Sequence, residues 1–219
     1  MCYHVSTPKK QKLKDILPGH VIVEDYAVYN YVTGFVHPEL PVMTDAEPHR
    51  IQAVRWGLIP SWAKDEQIAN HTLNAVSETA FTKPSFRDSI RKRRCLIWID
   101  GFFEWTHIGR KKEPHYIYMP EHRPFALGGL WSDWHSPVGE NIRTCSILTT
   151  AANDLLSVIH NSKKRMPLIL DEDKWDIWLN DDATEEAVKA LLKPYRDGVL
   201  EDKIIKGSPA DWDIHSLNE

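Results

Sequence analysis

The second residue of the chain, Cys2, would carry both an α-amine and a thiol if the initiator Met1 were removed. An α-amine titrates at about 7.7–8.0 and a free thiol at about 8.5, so both nucleophiles would be partly active at neutral pH. Such a 1,2-aminothiol condenses with aldehydes. The amine forms a Schiff base, and the tethered thiol closes a five-membered thiazolidine ring with the effective molarity of an intramolecular reaction. The alternative is that position 2 merely tolerates a small residue.

A lone carboxylate, Glu104, stands between two aromatic residues, Phe103 and Trp105. On a strand, this side chain lies either on the solvent face or in the core. In the core its pKa would be raised, and the carboxyl group could then transfer protons near neutral pH. The spacing alone leaves both positions open.

Two more polar residues, His160 and Asn74, interrupt apolar segments. His160 falls at the C-terminus of a predicted helix, where the helix dipole favours the imidazolium and would help it act as an acid. A simple C-terminal cap is the alternative for this histidine. Asn74 opens the polar segment 74–79 and could equally be a turn residue.

The charge pattern limits how the protein could bind nucleic acid. A net charge of −4 argues against a protein that coats nucleic acid by bulk electrostatics, but it leaves room for a local basic groove. The basic runs 91–94 and 163–165 are typical of solvated faces. Nine tryptophans are many for this length, and indole rings that are not in the core can stack on unpaired bases.

The composition is that of an ordinary globular chain. With 219 residues, 42% hydrophobic and 26% charged, it can bury a substantial core, and we predict a single domain over residues 1–219. It has no apolar run long enough to span a membrane, and its start lacks the pattern of a signal peptide. Three cysteines, Cys2, Cys95 and Cys145, without metal-ligand spacing favour free thiols in a reducing cytoplasm. We therefore expect a cytoplasmic protein without a metal or cofactor.

Strands and helices mix without a regular βαβ rhythm, which predicts an α+β fold around a curved, mainly antiparallel, barrel-like sheet with flanking helices. The predicted strands are 20–32, 51–58, 95–100, 102–106, 115–119, 125–131, 143–149 and 166–170. The predicted helices are 11–16, a helical region ending in the basic turn 91–94, a helix from the N-cap Thr150 to about His160, and two acidic helices, 173–179 and 184–192.

Five separated motifs together resemble the SOS-response-associated peptidase (SRAP) family. They are the Met1-Cys2 start, Trp-Gly-Leu-Ile-Pro-Ser-Trp-Ala-Lys-Asp at 56–65, Leu-Asn-Ala-Val-Ser-Glu-Thr at 73–79, Gly-Phe-Phe-Glu-Trp at 101–105, and Ile-His with Arg-Met-Pro within 159–167. The resemblance covers residues 2 to about 170. It implies an SRAP-like fold and the processing of abasic sites in single-stranded DNA.

The resemblance also implies roles for individual residues. Cys2, freed of Met1, would attack the aldehyde of an open abasic sugar and form a thiazolidine crosslink. Asn74 would position the reacting chain end or the sugar. Glu104 and His160 would move protons during sugar opening, Schiff-base formation and reversal.

The same analogy places three residues along a DNA channel: Pro38, Trp105 and Thr149. Two departures from the family pattern matter here, because relatives often carry arginines where this chain has His4 and Val76. Both replacements remove expected phosphate contacts. Affinity should therefore depend on other cations, and the candidates are Arg165 and the adjacent pair Lys163 and Lys164.

The sequence thus predicts an abasic-site sensor that crosslinks to single-stranded DNA, acts as a monomer, and joins the nucleoid during repair. Cys2 would be exposed either autocatalytically or by ordinary methionine removal, and a cysteine-type autopeptidase activity and a lyase activity belong to the same prediction. Two alternatives remain: an N-terminal-nucleophile peptidase in which Cys2 attacks an amide, and a non-covalent module whose tryptophans stack on bases. A stacking module requires neither Cys2 nor Glu104 nor His160.

Overall fold

The fold, seen here in a computed structural model, is α+β, as the sequence predicts, and its strands form two sheets rather than one. The structure describes residues 2–23, 26–207 and 211–214. The strands are β1 (His4–Ser6), β2 (Val21–Ile22), β3 (Val32–Thr33), β4 (Glu39–Thr44), β5 (Glu47–Trp56), β6 (Asn74–Val76), β7 (Arg94–Ile99), β8 (Gly101–Ile108), β9 (Lys111–Tyr118), β10 (Phe125–His135), β11 (Asn141–Ala151), β12 (Arg165–Pro167), β13 (Ile169–Leu170) and β14 (Glu201–Ile204).

Short helices fill the connections and flank the sheets. The α-helices are α1 (Lys10–Ile16), α2 (Ser77–Ala80), α3 (Arg87–Lys92), α4 (Asp154–Ile159), α5 (Trp175–Leu179) and α6 (Glu185–Leu191). Short 3₁₀ helices lie at Gly34–Val36, Glu66–His71, Pro120–His122 and Glu172–Lys174.

The larger sheet closes on itself into a five-stranded barrel, which confirms the barrel-like core. Strands β5, β4, β7, β10 and β11 pair antiparallel in that order, and β11 then returns to β5 as a parallel neighbour, with Cys145 opposite Trp56. Alternate residues of all five strands, including Val42, Val54 and Ile97, share one buried cluster. Since side chains alternate across a strand, this cluster fills the barrel interior.

The smaller sheet carries the chain start and is entirely antiparallel, in the order β14-β9-β8-β1-β3. Gly101 opens β8 opposite Tyr118, and a Cβ built there would lie 2.4 Å from the Tyr116 ring. The tyrosine therefore occupies the space that a side chain at position 101 would need. This close approach explains the glycine that opens the Gly-Phe-Phe-Glu-Trp motif.

The predicted strand 20–32 is wrong over most of its described length. Only Val21–Ile22 and Val32–Thr33 are strands, residues 26–31 have no regular structure, and residues 24 and 25 lie outside the described residues. Tyr26 is buried, but its hydroxyl donates to the Pro8 carbonyl at 2.8 Å. The aromatic residues that suggested a strand thus anchor a loop on the N-terminal segment.

Two other predicted boundaries also differ. Thr150 does not cap α4 but continues β11 opposite Met166, and the cap is Asn153, whose Oδ1 accepts from the Leu156 amide at 3.0 Å. The basic run 91–94 is also not one solvated turn. Arg94 begins β7 and is fully buried, with its guanidinium donating to carbonyl oxygens that include those of Ile90 and Trp178.

Candidate catalytic site

Cys2 lies just ahead of β1 and is fully buried. Its carbonyl oxygen accepts a 2.9 Å hydrogen bond from Asn74 Nδ2. Asn74 begins β6, which runs parallel to β11, so the barrel itself fixes this side chain. Asn74 Oδ1 is buried and has no hydrogen-bond partner among the described residues, so the amide keeps an acceptor for a further donor at this position.

Glu104 lies on the core face of β8, which settles the question left open by its spacing. Phe102, two residues before it, packs in the same buried cluster as Cys2, whereas Phe103 packs on the opposite face with Trp212. Side chains two apart share a face of a strand, so Glu104 points toward the side of Cys2. Only 5% of Glu104 is exposed, and burial raises its carboxyl pKa to about 7.

The surroundings raise the pKa of the Cys2 thiol far above its ordinary value, chiefly by burial and also through the charge of Glu104. The expectation of an unperturbed thiol is therefore wrong for this folded chain. A thiol in such surroundings stays protonated at neutral pH, so it needs a base at the moment of attack.

His160 is the C-cap residue of α4. Its Nδ1 lies 2.9 Å from the Arg165 carbonyl oxygen and 3.5 Å from Glu104 Oε1. A carbonyl oxygen only accepts hydrogen bonds, so the geometry assigns the proton to Nδ1 and leaves the lone pair on Nε2. Burial lowers the pKa of His160, whereas the helix dipole had predicted a favoured imidazolium. Desolvation of the buried ring thus outweighs the stabilisation that the end of α4 offers to the imidazolium.

The predicted channel residues occupy different surroundings. Pro38 is buried just before β4, and its carbonyl accepts from the Trp56 amide at 2.8 Å. Thr149 is buried on β11 opposite Pro167. Trp105 is half-buried on β8, on the face opposite to Glu104.

Arg165 makes a two-pronged contact with Glu78, at 2.5 Å and 2.8 Å, and also donates to the Thr149 carbonyl at 2.6 Å. This pairing lowers the pKa of Glu78 to about 2. The Arg165 guanidinium is thus already paired with the Glu78 carboxylate. The neighbouring Lys163 and Lys164 are both exposed.

The two positions that depart from the family pattern carry no charge near neutral pH. His4 Nδ1 lies 2.7 Å from the Tyr31 hydroxyl, and its ring meets the Trp105 ring edge-on at 4.8 Å between centroids. Burial lowers the pKa of His4 to about 4. His4 is therefore a neutral packing residue, and Val76 carries no charge at any pH.

An aromatic pair beside Cys2 was missed by the sequence reasoning. The ring of Tyr3 stacks at a tilt on Phe35, with 5.0 Å between centroids, and Phe35 and Val36 are 55% and 67% exposed. The signal that could have found them is an apolar Phe-Val pair in a glycine-led turn rather than in a strand. Within the described ranges, no group of three or more side chains could hold a metal ion, and no helix is long and apolar enough to cross a membrane.

A sequence model of the family described as SOS response associated peptidase (SRAP) matches residues 1–206. The chain belongs to this family.

Relatives and solved structures agree with that membership. The Bacillus subtilis protein named abasic site processing protein YoqW is 37% identical over 186 residues, which cover 80% of this chain and 82% of the relative. The chicken (Gallus gallus) abasic site processing protein HMCES is 32% identical over 176 residues, covering 68% of this chain and 51% of the relative. The chain thus spans about half the length of that vertebrate relative. A crystal structure of a Bacteroides thetaiotaomicron protein superposes with a TM-score of 0.86 at 34% identity, covering 96% of this chain and 97% of that one.

Proposed function

We propose that this SRAP protein captures abasic sites in single-stranded DNA by forming a thiazolidine crosslink through Cys2 after removal of Met1. The observation that carries the proposal is the 2.9 Å hydrogen bond from Asn74 to the Cys2 carbonyl, beside a buried carboxyl group with a pKa of about 7. The names of the relatives, abasic site processing proteins, support the same substrate class.

The first chemical step joins the Cys2 α-amine to the sugar aldehyde. The amine adds to the carbonyl carbon to give a carbinolamine, which then loses water to form the Schiff base. Asn74 holds the Cys2 carbonyl, so its free Oδ1 is available to orient the amine or a sugar hydroxyl. Protonated Glu104 supplies the proton that the departing hydroxyl group needs.

The second step closes the ring. The Cys2 sulfur adds to the carbon of the protonated Schiff base, the thiol proton passes to the Glu104 carboxylate, and the nitrogen keeps the one proton that it already carries. A carboxyl pKa of about 7 suits both halves of this cycle, because the acid and base forms are both populated at neutral pH.

The abasic sugar must open to its aldehyde before either step, and His160 is placed to assist this opening. Its lowered pKa keeps the imidazole neutral, with the proton on Nδ1, which faces the Arg165 carbonyl, and the lone pair on Nε2. Neutral His160 can therefore take the proton from the anomeric hydroxyl as the bond between the anomeric carbon and the ring oxygen breaks, and the imidazolium can pass that proton to the departing ring oxygen; ring closure after crosslink reversal runs the same transfers backwards.

The DNA path in this proposal combines stacking with a few phosphate contacts. We place half-buried Trp105 at the edge of the channel, with buried Pro38 and Thr149 in the wall behind its surface, and exposed Phe35 offers a ring on which a neighbouring base can stack. Lys163 and Lys164 supply phosphate contacts. Arg165 would contact a phosphate only by sharing its guanidinium with Glu78.

One chain supplies every residue in this scheme, so we propose a monomer that needs no cofactor. The proposed setting is the cytoplasm, with association to the nucleoid during repair. An unpaired substrate is favoured because a base-stacking surface requires bases that are free of a duplex.

Intact mass spectrometry before and after exposure to an abasic oligonucleotide tests the proposal. We expect the protein to lack Met1 and the adduct to weigh the sum of protein and oligonucleotide minus one water. A tetrahydrofuran analogue, which has no aldehyde, is the matched control and should give no adduct. An unmodified protein after incubation with the aldehyde-bearing strand would refute the crosslink. Cleavage of a peptide substrate that depends on Cys2, without an adduct, would support the peptidase alternative.

A further inference from the structure

The strand that carries Glu104 also holds the segment that carries His160. Two residues beyond Glu104, the Thr106 hydroxyl donates to the Ile159 carbonyl at 3.1 Å. One residue further, the His107 amide donates to Asn161 Oδ1 at 3.1 Å, and Asn161 Nδ2 donates back to the His107 carbonyl at 3.0 Å. The residues on both sides of His160 are therefore bound to β8.

These contacts matter because α4 is short and leaves its last carbonyl groups without helical partners. Ile159 is the final residue of this six-residue helix. A helix of this length has little stability of its own, and its C-terminal carbonyls must find partners elsewhere. The Thr106 hydroxyl is such a partner, so it helps to set where the helix ends and where His160 begins.

A second pair of residues lies behind Thr106. His115 Nε2 is 3.2 Å from Thr106 Oγ1, and His115 Nδ1 is 2.8 Å from Asp202 Oδ2. His115 is buried on β9 directly opposite Glu104 in the β8–β9 pairing, and Asp202 comes from the edge strand β14. Asp202 accepts from His115 Nδ1 and fixes the ring, the Thr106 oxygen accepts from His115 Nε2, and the single hydroxyl hydrogen is thereby directed to the Ile159 carbonyl.

We propose that Thr106 is a positioning residue for His160, supported by His115 and Asp202, and that it sets the 3.5 Å separation between His160 Nδ1 and Glu104 Oε1. The kinetic part of this inference rests on the proposed function. Neither Thr106 nor Asp202 touches the reacting atoms in this scheme. Their effect passes through the placement of the imidazole against the carboxyl group.

The test substitutes Thr106→Val, which keeps the shape of the side chain but removes the hydroxyl. We expect the single-turnover crosslinking rate at saturating DNA to fall roughly 5- to 10-fold, the value of one ordinary hydrogen bond, with unchanged DNA affinity. Thr106→Ser should restore the rate. Thr82→Val is the matched control, because the Thr82 hydroxyl also donates to a backbone carbonyl, that of Thr79, at 3.1 Å. Asp202→Asn should slow the reaction in the same direction by a smaller factor.

A double-mutant cycle separates positioning from general destabilisation. If Thr106 acts through His160, then Thr106→Val should cause no further slowing in a His160→Gln background. Equal slowing in both backgrounds would overturn the proposal, as would a wild-type rate in Thr106→Val.

A measurement without DNA distinguishes failure of this inference from failure of the proposed function. In the free protein, Thr106→Val should shift the ¹⁵N resonances of the His160 imidazole and speed amide exchange at residues 159–161, while Thr82→Val changes neither. If the wild type forms no crosslink but these changes appear, positioning stands and the proposed function fails. Unchanged resonances and exchange in Thr106→Val overturn the positioning role whatever the crosslinking result.

Discussion

His160 Nδ1 lies 3.5 Å from Glu104 Oε1, with only 8% and 7% of the two side chains exposed. Burial raises the pKa of the carboxyl group to about 7 and lowers that of the imidazole. Desolvation penalises the charged form of each group, so near pH 7 neutral forms of both are populated rather than a fixed ion pair. Because neither group is held in its charged form, each can act as an acid or as a base more readily than it could within a permanent salt bridge.

Replacing the nucleophile tests the ring-closing step. Cys2→Ala should abolish a heat- and denaturant-stable adduct, since no thiol remains to close the ring. Cys2→Ser should still form a Schiff base that borohydride traps but that otherwise reverses. Cys145→Ser is the matched control, because this buried cysteine lies in the barrel interior and should leave the adduct intact. Full crosslinking by Cys2→Ala would rule out the proposed chemistry.

Glu104 is expected to lower the free energy of unfolding at neutral and alkaline pH, although the proposed reaction requires it. Its carboxyl pKa is raised from 4.5 to about 7, so the folded protein holds a proton that the unfolded chain loses within that window. The wild type therefore loses stability as the pH rises through this range. Glu104→Gln removes the titration. It should be more stable than wild type above about pH 7, by up to about 3 kcal/mol, with the difference shrinking toward pH 4.5.

Urea unfolding of both proteins across this pH range measures the difference. With the same two proteins in the absence of urea, single-turnover crosslinking by Glu104→Gln should be slower than by wild type by about 10²–10⁴-fold, since an amide cannot carry the proton. A stability difference that does not change with pH would show that Glu104 titrates normally.

The effect of His160→Gln should depend on pH in a defined direction. Burial lowers the imidazole pKa, so the neutral, base-competent ring prevails at neutral pH and the imidazolium forms only in acid. The ratio of wild-type to His160→Gln single-turnover rates should therefore be largest at neutral and alkaline pH and should fall toward one in acid. A ratio that grows in acid would mean that the imidazolium is the working form.

Salt dependence reports the number of phosphate contacts. For single-stranded DNA each contact contributes about 0.7 to the slope of log affinity against log salt, so Lys163→Ala/Lys164→Ala should reduce that slope by about 1.4. Lys174→Ala is the control, because its ammonium already pairs with Asp173 at 2.7 Å. The completed crosslink should be indifferent to salt. An unchanged slope in the double variant would remove both lysines from the DNA path.

Gly101→Ala should destabilise the fold by about 1–3 kcal/mol, because the added Cβ would lie 2.4 Å from the Tyr116 ring. Thermal and urea unfolding measure this loss. Tyr116→Leu vacates part of that space, so the double variant should lose less than the sum of the two single losses. Additive losses would indicate that the clash is relieved elsewhere.

The elements that local patterns predicted well are those with strong periodicity. The apolar run that became β7 and the helix Lys10–Ile16 follow directly from their residues. The loop around Tyr26 and the buried Arg94 could not be predicted, because both depend on partners that are distant in sequence. Tyr26 reaches Pro8, and Arg94 donates to the carbonyl of Trp178.

In the candidate site, too, some features could be predicted from the local sequence and others could not. Residue types and spacing predicted Glu104 as a proton-transfer candidate, but its raised pKa required knowing which face of β8 packs with Cys2. The ion pair between Arg165 and Glu78 forms only because β12 and α2 lie side by side in the fold. No local sequence pattern predicts that proximity. The lowered pKa of His160 likewise follows from burial and not from its place at the end of a helix.

Strand β1 is synthesised well before β8, the strand with which it pairs, and this delay bears on when Cys2 becomes buried. It precedes the other described strands in the chain, yet its neighbours in the sheet are β3 and β8, so Val5 can pair with Phe102 only after β8 has been synthesised. Asn74, Glu104 and His160 all emerge later than the residue that they surround. An enzyme that trims the chain end therefore meets an unpaired, accessible segment, whereas in the folded protein Cys2 is fully buried. Removal of Met1, which the proposed crosslink requires, would therefore have its best access before the fold encloses Cys2.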